Sequence, residues 1–184
     1  TIGEYAKMIN GEKWLETNKK ADLTVIGLKN YDRNEIYELP IPPSPNLPNS
    51  KAINLYPSLC LFEGTGVSVG RGTNLQFQIY GSPDLNKKTN KFRFTPKKNI
   101  GSKYPKNENK ICFGKDLRSE KSLDEINLNY IIDAYNDSSN KTNFFNSYFI
   151  KLSGNKNLKN NIILGKKMMT LKKNGKKELI DLKN

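Results

Sequence analysis

A chain of 184 residues carrying a net charge of +13 is long enough for one domain with a real core. Hydrophobic residues make up 35%, but aromatics reach 10%, which argues for a folded chain rather than a disordered one. Histidine is absent, which excludes Ser-His-Asp and Cys-His catalysis within this chain and any His-ligated zinc.

The charge points first to nucleic acid or an anionic membrane surface. The make-up of that charge argues otherwise. Arg33, Arg71, Arg93 and Arg118 are the arginines, and every other basic residue is lysine. Base readout favours Arg, and no aromatic-basic RNA-recognition motif is present, so no nucleic-acid partner is expected. No apolar stretch approaches the length of a membrane span. Cys60 and Cys112 are too few for a thiolate metal site and lie in apolar runs, as buried free thiols do. Neither a metal nor a cofactor is expected. The chain opens at Thr1 with no initiator methionine or signal peptide, as a fragment or processed protein would.

Thr1-Ile2-Gly3-Glu4 forms a capping box, and Ile2, Tyr5, Ala6 and Ile9 share the face of the helix that follows. Asp22 to Lys29 reads as a strand with two apolar faces. Arg33, scarce in a Lys-rich chain, suggests a fixed role. Residues 39–48 carry five prolines, which forbid regular helix or central strand and leave a stiff extended segment. That segment reads either as a rigid connector or as a preordered wall presenting Ser44 and Asn46. Asn49 to Tyr56 is compatible with a short helix.

The densest chemistry lies at residues 55–73. Leu59 to Phe62 is a continuous apolar run and reads as a short buried strand. Glu63 ends it. Gly64, Gly66, Gly70 and Gly72 permit unusual backbone and close approach. Thr65, Ser68 and Thr73 add hydroxyls, and Arg71 adds a planar fork suited to carboxylates. No nucleotide-binding glycine motif is present. The loop reads either as a surface turn tied by a Glu63–Arg71 ion pair or as a ligand site.

Leu75, Phe77 and Ile79 alternate with polar partners as in a half-buried strand, and Phe92–Phe94 and Ile111–Gly114 read as further strands. Pro96 to Lys110 reads as a flexible basic loop with a solvated lysine face. Ser122-Leu123-Asp124-Glu125 is a second capping box, ahead of an apolar helical stripe from Leu123 to Tyr135. Phe144 to Leu152 and Asn157 to Leu164 read as helices, the latter stopped by Gly165. Residues 166–183 suggest short Lys-rich helices. The expected class is α+β: a small mixed sheet in the first two-thirds with helices packed on it, and a helical C-terminal third.

Residues Tyr56 to Thr65, followed by Ser68 and Gly70-Arg71-Gly72-Thr73, resemble the signature of the NamZ-type exo-β-N-acetylmuramidases. Pro43 to Pro48 resembles that family's proline segment, and Gly81-Ser82-Pro83 the end of its following strand. Weaker likeness covers nearly the whole chain, beginning at Thr1, which resembles the start of the family's C-terminal domain. The resemblance implies one auxiliary C-terminal domain over residues 1–184, with the N-terminal Rossmann-like domain absent. It implies a bacterial hydrolase, periplasmic or secreted. Its reaction would be removal of N-acetylmuramic acid from the non-reducing end of peptidoglycan, in cell-wall recycling. This chain, inactive alone, would form one wall of a cleft against the Rossmann-like domain. A non-catalytic domain binding anionic cell-wall glycan is the alternative.

Under the family reading, Glu63 supplies a catalytic carboxylate or orients its neighbours, with the principal acid in the other half. Substrate binding falls to Ser44, Asn46, Gly64, Thr65, Ser68, Arg71, Gly72 and Thr73, with Arg71 on the lactyl carboxylate of muramic acid. One departure stands out. The family usually has Asn after Glu-Gly-Thr, and here Gly66 removes that side-chain amide.

Overall fold

The structure, a computed structural model, describes residues 1–17, 19–164, 168–171 and 177–180. The chain divides into two units, Thr1–Tyr37 and Glu38–Asn184.

In the first unit, helix α1 (Ile2–Gly11) forms as the capping box predicts. Glu4 N donates to Thr1 Oγ1, and the Thr1 amino group donates to Glu4 at 2.5 Å. Arg33 pairs with Glu4 at the surface, and the Glu4 carboxyl is held down to about 2 by hydrogen bonds from the Thr1 amino group and Arg33. Asn10 uses both ends of its amide on the backbone of Ala21. The strand expected over Asp22 to Lys29 is not formed. A strand needs a neighbour to satisfy its backbone groups, and among the described residues no extended partner pairs with these. Ile26 and Leu28 are accordingly exposed.

The second unit is α+β. Helix α2 (Ser50–Leu59) runs into a 3-10 turn, Cys60–Gly64. Strands β1 (Ile79–Ser82), β2 (Phe92–Phe94) and β3 (Cys112–Asp116) form one sheet in the order β1-β3-β2. Both pairings are antiparallel, so this sheet is not mixed. Helices α3 (Asn129–Asp137), α4 (Tyr148–Ser153) and α5 (Lys156–Leu164) follow.

Four expectations are corrected here. Leu59 to Phe62 is helical, not a strand. Asn49 caps α2, its Oδ1 accepting from Ala52 N at 2.9 Å. Ala52, Leu55, Leu59 and Phe62 are then fully buried at helical spacing, so the longer period overrides the local apolar run. Pro57 lies inside α2. The strand expected from Leu75 begins only at Ile79, because the chain turns at Leu75–Gln78 and Phe77 sits at φ 52°. Helix α3 starts beyond the second capping box. Leu123 and Asn127 instead give their backbone N–H groups to Asn54 and Ser58 of α2, which fixes that stretch as loop. In the expected Lys-rich helical tail, β4 (Met168–Leu171) and β5 (Lys177–Ile180) pair antiparallel. Asn174-Gly175, a hairpin signal, lies between these runs in the sequence. Gly165 lies outside the described residues.

The core joins the sheet to the helices through aromatic pairs. Phe62 stacks on Tyr80 at 5.0 Å, and Phe145 meets Phe149 edge-on at 4.6 Å. Contacts of this kind anchor the 3-10 turn from both sides, and that turn carries Glu63.

Candidate functional site

Packing dictates the backbone from Glu63 to Thr73. Gly64 lies against α4 so closely that a Cβ there would stand 2.6 Å from Phe149 Cα. Thr65 turns the chain: its Oγ1 donates to the Phe62 carbonyl at 2.8 Å and accepts from Val67 N at 3.1 Å. The chain then runs beside β1, where Ser68 and Gly81 exchange both backbone hydrogen bonds. Gly70 and Gly72 take φ of 77° and 82°. At Gly72 a Cβ would also meet the Lys97 carbonyl at 2.7 Å. Arg71 is held between these two left-handed residues, so the direction of its side chain follows from backbone that favours glycine. Thr73 closes the loop, donating to the Gly70 carbonyl and accepting from Leu75 N.

These constraints open a cleft of about 230 Å³ lined by Glu63, Ser68, Arg71, Ser102, Tyr104, Lys106 and Tyr148, with Val67 and Val69. Glu63 and Arg71 face this one cavity but form no ion pair within 4.0 Å of each other, so the structural tie that was one reading of the loop is not made. Ser68 is 2% exposed, and neither its Oγ nor Arg71 Nε has a hydrogen-bond partner among the described residues. Buried polar groups of this kind cost free energy unless something bonds to them.

Lys106 is the second cation of the cleft. Its Nζ donates to the carbonyls of Thr65 at 2.5 Å, Phe62 at 2.9 Å and Glu63 at 3.4 Å. Burial lowers its pKa from 10.5 to about 8; the Glu63 charge opposes that shift and the Arg71 charge adds to it. Burial and the Glu63 charge push the nearby Cys60 thiol up, which keeps it protonated and unreactive. A carboxylate, two cations and several hydroxyls around one opening can hold an acidic, hydroxyl-rich ligand and can offer it a proton-transfer group.

The structure therefore brings Glu63, Ser68 and Arg71 together. The hydroxyls of Thr65 and Thr73 are spent on the loop's own backbone, and Gly64 and Gly72 are packing positions. Ser44 and Asn46 form a tight turn, Leu47 N donating to the Ser44 carbonyl at 2.9 Å. They do not line the cleft. Asn46 Nδ2 instead donates to the Gly101 carbonyl at 2.8 Å, beside Ser102. Gly66 is exposed, and a Cβ there meets nothing within 4 Å, so packing does not require glycine at this position.

Sequence reasoning missed Ser102, Tyr104, Lys106 and Tyr148. The basic loop reads as solvated because its lysines are numerous, and nothing local distinguishes Lys106 from Lys98 or Lys103. A weak signal was Tyr104-Pro105, an aromatic and a rigid residue amid polar ones.

Comparison with known proteins places these features. Residues 54–184 match the C-terminal part of the exo-beta-N-acetylmuramidase NamZ family, and residues 1–51 match its N-terminal part. The junction between the two descriptions thus falls inside the chain. The peptidoglycan beta-N-acetylmuramidase NamZ of Bacillus subtilis is 40% identical over 87 residues, 45% of this chain and 20% of that protein. A crystal structure of a DUF1343 family protein from Bacteroides fragilis superposes with a TM-score of 0.83 at 47% identity, over 90% of this chain and 47% of that one. A second protein of the same description and organism shares the fold, with a TM-score of 0.61 at 20% identity, over 88% of this chain and 48% of that one. The chain spans less than half the length of each of these relatives. With more than half of its residues matching the C-terminal description, this chain belongs to the NamZ exo-β-N-acetylmuramidase family.

Proposed function

We propose that this chain forms one wall of the substrate cleft in a bacterial glycoside hydrolase that removes N-acetylmuramic acid from the non-reducing end of peptidoglycan. The observation that carries the reading is the convergence of Glu63, Arg71 and Ser68 on one cleft, with Arg71 Nε and Ser68 Oγ buried and without partners among the described residues. Arg71 takes the lactyl carboxylate, the feature that distinguishes muramic acid from its neighbouring sugar, through a charge-assisted fork. Ser68 Oγ bonds a ring substituent.

Glycoside hydrolysis commonly uses two carboxyl groups across the scissile bond. Glu63 supplies one. The principal acid and the opposing wall come from a Rossmann-like N-terminal domain. The reaction takes place in the periplasm or outside the cell. Lys106 holds the carbonyls around Glu63 and adds positive charge for an acidic sugar.

The test is release of the aryl group from a chromogenic N-acetylmuramide by the full-length protein. Glu63→Gln is expected to lower kcat by about 10²- to 10⁴-fold with the melting temperature unchanged. Arg71→Ala is expected to act chiefly on KM, and to lose its effect on an N-acetylglucosaminide that lacks the lactyl group. A folded wild-type protein that releases nothing from the muramide overturns the reading.

A further inference from the structure

A second, shallower trough of about 340 Å³ lies beside the cleft, lined by Lys98, Asn99, Lys103 and Tyr104. Tyr104 lines both cavities, so the two adjoin at this side chain. Its ring is 84% exposed, with Lys98 Nζ 5.5 Å from the ring centroid.

This trough stands on fixed backbone. Asn99 and Ser102 exchange backbone hydrogen bonds at 3.1 Å in both directions, and that turn puts Ser102 in the cleft and Asn99 in the trough. Asn99 Nδ2 reaches the Thr73 carbonyl at 3.4 Å, and Lys97 N donates to the Gly72 carbonyl at 2.8 Å. The trough is thereby tied to the same loop that aims Arg71. Asn99 Oδ1 is buried and has no partner among the described residues.

We infer that the trough is a second saccharide subsite on the leaving-group side of the cleft, which takes the next carboxylate-bearing sugar of an alternating chain, one N-acetylglucosamine beyond the scissile bond. The inference rests on the proposed glycosidase reading and extends it. An exposed tyrosine ring offers a flat apolar face with a polar tip, which suits the face of a pyranose. Lys98 and Lys103 give flexible point charges for a carboxylate, without the bidentate geometry of Arg71. The cleft would then select the terminal acidic sugar, and the trough would favour a chain that continues with another.

The test compares two substrates on full-length protein: an aryl N-acetylmuramide, which fills the cleft alone, and a tetrasaccharide of alternating N-acetylmuramic acid and N-acetylglucosamine. In the double variant Lys98→Ala/Lys103→Ala, KM for the tetrasaccharide is expected to rise about three- to tenfold at low salt. The difference should vanish at roughly 1 M salt, where exposed charges are screened. Kinetics on the aryl muramide should not change. An unchanged tetrasaccharide KM, or an equal rise for both substrates, overturns the subsite. If wild type releases nothing from the aryl muramide, the reaction itself is wrong. The trough is then judged by calorimetric titration of the same tetrasaccharide: weaker binding by the double variant supports it, and equal binding overturns it.

Discussion

The two loops that line the cleft are stabilised in different ways. Residues 63–73 combine their own turns, at Thr65 and Thr73, and left-handed backbone at Gly70 and Gly72 with backbone pairing to the core, Gly66 to Phe144 and Ser68 to Gly81. Residues 97–109 are held largely from outside. Lys97, Asn99, Lys106 and Asn107 each donate to a carbonyl between Phe62 and Thr73. The first loop is a template and the second is docked onto it. Damage to the first should therefore cost stability, and damage to the second should release a wall of the cleft while leaving the template standing.

Gly72→Ala puts the contrast under the greatest load. It adds left-handed strain to a Cβ placed against the Lys97 carbonyl and Pro105, and is expected to cost roughly 2–3 kcal/mol in denaturant unfolding. A loss below about 0.5 kcal/mol would mean that the two loops are not in close contact there.

Lys106→Met comes next. Three carbonyls lose their shared donor, at an expected cost of about 1–3 kcal/mol. Activity should fall by more than that stability loss explains. Its titration separates the two roles. Above about pH 8 the folded protein has released a proton that the unfolded chain still binds. Stability contributed by this group therefore rises from pH 8 toward 10.5 and is lost as pH falls through 8. Meanwhile kcat/KM for an acidic substrate should fall over the same rise, because the cleft loses a cation. In Lys106→Arg, which keeps its charge, that alkaline limb should move out of range. A limb that stays near pH 8 in Lys106→Arg would assign it to another group.

Thr73→Val should have the smallest effect, about 1 kcal/mol of stability, with KM unchanged in the surviving folded protein. A raised KM at full stability would return Thr73 to the substrate.

The template loop was legible in the sequence because its chemistry is local. Glu63, Ser68 and Arg71 could be picked out within nine positions. The docked loop was not, because Lys106 differs from its neighbours only in what it meets 41 to 44 residues away. Strand expectations failed for a related reason. Asp22 to Lys29 has the pattern of a strand, but a strand exists only with a partner, and no partner is encoded in the segment itself. Leu59 to Phe62 failed because four apolar residues cannot distinguish a period of two from 3.6; Ala52 and Leu55, further back, decide it.

The acceptors that receive the docked loop are nearly all main-chain carbonyls. Every amino acid carries one, so residues 62–66 can drift in sequence without loosening the attachment, provided their backbone path is kept. The burden of inheritance falls on the donors, Lys106 and Asn107, and on the glycines that set that path. Descendants of this protein could therefore vary the rim of the cleft, and with it what the cleft admits, while the joint beneath it stays the same.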